Sequence, residues 1–88
     1  MRINKSDLTA TINRLNRETN NPETPWKRVE GRNVAQIGNY HLSESCGGYC
    51  LHQMASEGGG VHDTLRCGHV PKRELYNLMH AYLRGIES

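Results

Sequence analysis

The stretch Ile37-Gly38-Asn39-Tyr40-His41-Leu42-Ser43-Glu44-Ser45-Cys46-Gly47-Gly48-Tyr49-Cys50-Leu51-His52-Gln53-Met54-Ala55 decides the fold. Its side chains alternate with a period of two, the spacing that sends successive residues to opposite faces of a strand. Before the break, Gly38, Tyr40 and Leu42 share one face and Ile37, Asn39 and His41 the other. After it, Tyr49, Leu51 and Gln53 point one way and Cys50, His52 and Met54 the other. Between them, residues 44–48 read as a turn, because the paired glycines supply the positive φ that tight hairpins need. A strand over 34–43 is therefore expected to pair antiparallel with a strand over 49–55.

Towards the C-terminus, Gly58-Gly59-Gly60 predicts a second turn and Val61 to Arg66 a third short strand. Pro71 suits the first position of a helix, where its missing N–H costs nothing. Leu75, Leu78, Met79, Tyr82 and Ile86 then recur at helical spacing, and Gly85 is placed to end the helix after Arg84. Towards the N-terminus, Trp26 to Val29 predicts an edge strand turning at Glu30-Gly31-Arg32-Asn33. Leu8, Ile12 and Leu15 mark a first helix, with Ser6 as its N-cap and Asp7 against the positive end of its dipole. Pro22 closes that segment. The expected architecture is one α+β domain over residues 1–88: helix 6–18, connector 19–25, sheet 26–67, helix 71–84. Two helices on one face of a three-stranded antiparallel sheet, in the order α-β-β-β-α, bury both apolar stripes.

Composition bounds the function. With 88 residues, 35% hydrophobic and no Phe, the chain builds one domain with a modest core. Eleven Lys and Arg against nine Asp and Glu give a net charge of +2, which permits a basic patch without demanding a nucleic-acid partner. The N-terminal residues hold no apolar run resembling a signal peptide, and nothing approaches the roughly 18 apolar residues of a membrane span. A cytoplasmic protein without membrane contact is expected. Three Cys, an odd number, speak for free thiols in a reducing compartment rather than a disulfide framework.

Four features carry potential chemistry. Cys46, Cys50, Cys67 and His69 supply the donors of a Cys3His zinc site, but Cys50 lies inside a predicted strand and not on a tight knuckle. No metal or other cofactor is therefore expected, with a small zinc-stabilised domain as the third-ranked alternative. Cys46 or Cys50 beside His41 or His52 offers a thiol–imidazole pair. A reactive thiolate needs a helix N-terminus or a neighbouring cation, and a hairpin provides neither, so no enzyme is expected. Gly58-Gly59-Gly60 precedes a strand rather than a helix, and reads as a turn rather than a phosphate cradle. The most informative feature is the cationic start of the last helix. Lys72 and Arg73 occupy its first turn, close after Arg66 and His69, where cations oppose the macrodipole at about 0.3–1 kcal/mol each. Cations beside free backbone N–H groups suit an anion-binding surface. Lys27, Arg28 and Arg32, on the edge ribbon, are candidates for the same surface.

Read together, Ile37-Gly38-Asn39-Tyr40-His41-Leu42, Gly47-Gly48-Tyr49, Leu51-His52-Gln53-Met54, Glu57-Gly58-Gly59-Gly60-Val61 and Lys72-Arg73-Glu74-Leu75-Tyr76 resemble small proteins encoded in tailed-phage and prophage genomes. The resemblance spans roughly residues 26–86 and implies a genomic context, in the cytoplasm of a bacterial host, rather than a chemistry. A weaker, topological resemblance is to the double-stranded RNA-binding domain, whose final helix begins with phosphate-contacting basic residues. Lys72 and Arg73 stand at the matching place, while Tyr76 takes the place of a third lysine. The expected function is a non-enzymatic binding module acting on a host or phage macromolecule. Its partner is either nucleic acid, through the basic helix start, or a host protein such as a defence factor, inhibited by direct contact.

Overall fold

The computed structural model describes residues 2–87. Helix α1 (Lys5–Glu18) starts one turn-residue earlier than the sequence suggests. Asn4, not Ser6, is its N-cap: the Asn4 side chain accepts from the Asp7 N–H, and the Asp7 carboxylate accepts from the Asn4 N–H, each at 3.0 Å. This reciprocal box satisfies two backbone donors at once, an arrangement Ser6 has no acid three residues on to match.

The expected single sheet is two. Strands β1 (Trp26–Val29) and β2 (Arg32–Ala35) form a separate antiparallel ribbon, while β3 (Tyr40–Ser45), β4 (Gly48–Met54) and β5 (Val61–Asp63) form a sheet in that order. The expected continuous strand 34–43 is broken at residues 36–39. Gly38 takes φ +95°, and a Cβ there would collide with the Asn21 side chain, so the backbone turns where the alternation implied it ran straight. Both hairpins turn on two residues with positive φ, Glu30-Gly31 (50° and 78°) and Cys46-Gly47 (51° and 77°). Type I′ turns require that pair of values, and they match the twist of the flanking strands.

Strand β5 ends at Asp63, shorter than expected, because the Asp63 carboxylate accepts from the Arg66 N–H at 2.9 Å and the Gly68 N–H at 2.7 Å. These bonds curl the chain off the sheet edge. It returns at Val70, which exchanges two backbone hydrogen bonds with Tyr49. Helix α2 (Lys72–Glu87) then runs through Gly85 instead of stopping there. Its buried stripe is Leu75, Met79 and Leu83; Leu78 and Tyr82 are half-buried and Ile86 is exposed, so the stripe is rotated from the expected one.

Both helices cover one face of the β3-β4-β5 sheet, α1 over β3 and α2 over β4. Ile3, Leu8, Ile12, Leu15, Tyr40, Leu51, Leu75, Met79 and Leu83 make the core. Burying each aliphatic side chain contributes about 1.5–3 kcal/mol. One polar side chain organises this core. Asn16, fully buried on α1, donates to the Tyr40 carbonyl at 3.0 Å and accepts from the Tyr40 N–H at 2.8 Å, standing in for a strand partner. The helices run parallel, because their contacts advance together: Thr11 Oγ1 meets His80 Nε2 at 3.3 Å, and Arg14 meets Glu87 at 2.6 Å. Among the described residues, no helix is long and apolar enough to cross a membrane.

Candidate nucleic-acid interface

The parallel packing brings both helix N-termini to one end of the sheet, where β3 turns into β4. Lys5 at the start of α1 pairs with Glu44 at 2.5 Å, and Val70, just before α2, pairs with Tyr49. The positive ends of two macrodipoles therefore point the same way. The α1 end is neutralised by its capping box. At the α2 end Pro71 holds the capping position, its carbonyl accepting from the Leu75 N–H at 3.1 Å. A proline side chain offers no oxygen to the first-turn N–H groups. Glu74 is the acid of this turn.

Four of the seven expected contact residues gather here. Arg66, His69 and Arg73 are exposed and Lys72 is half-buried. The loop bearing Arg66 and His69 is fixed on both sides. Asp63 anchors it from below, with Arg66 itself at φ +55°. His69 Nε2 bonds Ser43 Oγ at 3.0 Å, and Gly48 makes room for it, since a Cβ there would lie 3.0 Å from the His69 backbone. Burial alone would push the Asp63 carboxyl up, but the Gly68 N–H, the Cys50 thiol and the Arg66 N–H outweigh it and hold the group below its ordinary value.

Lys27, Arg28 and Arg32 do not join this cluster. Their ribbon is rooted at the other end of β4, where Ala35 N–H donates to the Glu57 carbonyl and Gly38 N–H to that of Met54. From Tyr49 to Met54 the strand covers about 17 Å at 3.3–3.4 Å per residue. One expected patch is thus two cationic regions separated by the length of the sheet.

The sheet face turned away from the helices carries a polar row that sequence inspection only half resolves. The register sets Ser43 opposite Cys50, His41 opposite His52 and His52 opposite Asp63. The imidazoles of His41, His52 and His69 stand edge to face, with centroids 6.0 and 5.9 Å apart. Alternation predicts that Cys50 and His52 share a face. It cannot predict that the loop folds His69 onto the same row. Burial, then the His52 ring, lowers the His41 pKa; burial, then the His69 ring, lowers that of His52. Burial, then the Asp63 carboxylate, pushes the Cys50 thiol up to about 12 and raises Cys67 as well. A thiol so held is a poor nucleophile at neutral pH.

The four donors of the zinc alternative are spread apart in exposure and place. Cys46 is exposed in the β3–β4 turn, Cys50 is buried under the polar row, Cys67 is half-buried in the loop, and His69 is exposed and bonded to Ser43. Among the described residues, no three His, Cys, Asp or Glu side chains converge as a bound metal requires. Comparison with protein-family models, curated proteins and solved structures found no match for this chain.

Proposed function

We propose that this chain is a non-enzymatic binding module, phage-derived as its resemblance implies, that holds nucleic-acid phosphates at the start of α2. The observation that carries this reading is the gathering of Arg66, His69, Lys72 and Arg73 around a helix N-terminus without a side-chain cap. Backbone N–H groups and cations together favour an anion there. The Asp63 carboxylate, the nearest acid on the loop, is engaged by two backbone donors of the loop itself. The elevated thiols and the wide spread of the Cys and His side chains fit a binding role better than a catalytic one.

Fluorescence anisotropy with a labelled 20-base-pair duplex at ~50 mM salt tests the reading, since even non-specific phosphate contacts register there. Lys72→Ser with Arg73→Ser is expected to weaken binding across all sequences. Equal affinity for the double variant and the wild type would remove the helix start from the interface.

The protein-partner alternative draws on Trp26, Val29, Ile37 and Val61, which are 42–56% exposed. A pull-down from host lysate that survives nuclease would favour it.

A further inference from the structure

We infer that the β1–β2 ribbon is a second nucleic-acid contact, one that enters the major groove of B-form DNA while the α2 start holds phosphates a few base pairs away. The inference rests on the reading of the α2 start given above, and extends it to a partner class and a minimum length.

The ribbon is held firmly at its root and bare beyond it. Ala35 is buried and bonded to Glu57, Gln36 N–H donates to the Pro25 carbonyl, and the Trp26 indole lies over Gly59, where a Cβ would come within 2.8 Å of it. Past that root, all of β1 is exposed, as are Arg32 and Asn33. Isolated two-stranded hairpins are marginal in water, and they normally earn stability by burying a face. This one leaves Lys27, Arg28, Val29, Arg32 and Asn33 in solvent, with three cations against the single acid Glu30. Core packing does not account for such a strand pair; a polyanionic partner does, by charge complementarity.

The partner's form follows from size and side-chain chemistry. Two strands about 4.8 Å apart, with side chains, fit a B-DNA major groove about 12 Å wide. The deep, narrow major groove of an A-form RNA helix does not admit them. Arg28 stands directly opposite Asn33, so both project from one face of the ribbon. Arginine and asparagine are the side chains that pair bidentately with guanine and adenine edges in the major groove. Because about 17 Å of β4 separates the ribbon root from the α2 start, simultaneous contact needs at least ~5 base pairs at 3.4 Å each.

The test uses the full chain, with the wild type and a Lys27→Ser, Arg28→Ser, Arg32→Ser variant, whose positions are all exposed. The probes are DNA stem-loops with 4- and 16-base-pair stems, a 16-base-pair RNA duplex and poly-glutamate. The wild type is expected to prefer the long DNA stem over the short one by about tenfold or more, as the second contact becomes intramolecular. The triple variant is expected to lose that preference, and its salt slope on the long stem to fall by about 2.7 for three lost phosphate-range contacts. Its residual binding to the short stem should equal that of the wild type. If the wild type binds neither stem, the α2-start reading fails and takes this inference with it. Should it bind both stems while the triple variant matches it on each, the inference alone is overturned. Ribbon-dependent binding to the RNA duplex as tight as to DNA would overturn the major-groove placement. Equal ribbon-dependent binding to poly-glutamate would overturn the nucleic-acid assignment in favour of an acidic polypeptide.

Discussion

Replacing Asn16 by Ala attacks the junction on which the site's geometry depends. The Asn16 amide is fully buried and makes two hydrogen bonds to the backbone of Tyr40, the first residue of β3. Truncation leaves the Tyr40 N–H and carbonyl without those partners, and each buried unsatisfied group costs about 1–3 kcal/mol. The space left by the amide adds to this unless neighbours collapse into it. A total of about 3–5 kcal/mol follows, against a global stability of about 4–13 kcal/mol for a chain of this size. The variant should therefore sit near the edge of unfolding at room temperature. Urea denaturation followed by far-UV circular dichroism measures the loss as a shift in midpoint at constant slope. Asn16→Leu, which fills the space without bonding, should recover only the packing part. A loss below about 1 kcal/mol for Asn16→Ala would show that water or another group satisfies Tyr40, and that Asn16 does not pin β3 to α1.

Three further outcomes are expected. Stability should fall as the pH is lowered from about 6.5: His41 and His52 have depressed pKa values in the fold, so the unfolded chain takes up their protons first, and the loss levels off once the folded-state values are passed. A second loss should begin below pH 3.8, where the carboxylate of Asp63, also depressed, becomes protonated; urea midpoints across pH 3–8 show both steps, and a flat profile between 7 and 5 would contradict the first. Gly38→Ala should cost at least about 1–2 kcal/mol, since alanine resists φ +95° and its methyl meets Asn21; an unchanged melting temperature would mean the bend at 36–39 relaxes freely. Thiol titration of the native protein should label exposed Cys46 rapidly and buried Cys50 only on unfolding, so equal rates would contradict the placement of Cys50 beneath the polar row.

The parts of the fold legible in the sequence are those set by local chemistry. The β3–β4 pairing could be read from period-two alternation around a glycine turn, and α2 from its 3.6-residue stripe. What escaped depends on contacts distant in the chain. The break at 36–39 exists because Asn21, 17 residues upstream, occupies the space a straight strand would need beside Gly38. Gly85 continues the helix although its type suggests a stop, since helix propensity costs only about 1 kcal/mol there. The early end of β5 came from the Asp63 side chain competing for backbone donors, a local effect visible in hindsight as Asp63-Thr64-Leu65-Arg66. Of the candidate interface, Arg66, His69, Lys72 and Arg73 were legible because they adjoin in sequence. The separation of Lys27, Arg28 and Arg32 was not, because strand order and hairpin placement are tertiary facts.

The most direct test of the central claim is the salt dependence of duplex binding for the wild type and for the Lys72→Ser, Arg73→Ser variant, between ~50 and ~200 mM salt. The logarithm of the association constant should fall linearly with the logarithm of salt concentration, as condensed counterions are released. The variant's slope is expected to be shallower by about 1.8, which corresponds to two lost phosphate contacts at about 0.9 each. Identical slopes, or a wild type that binds no duplex at ~50 mM salt, would contradict the placement of a nucleic-acid backbone at the start of α2.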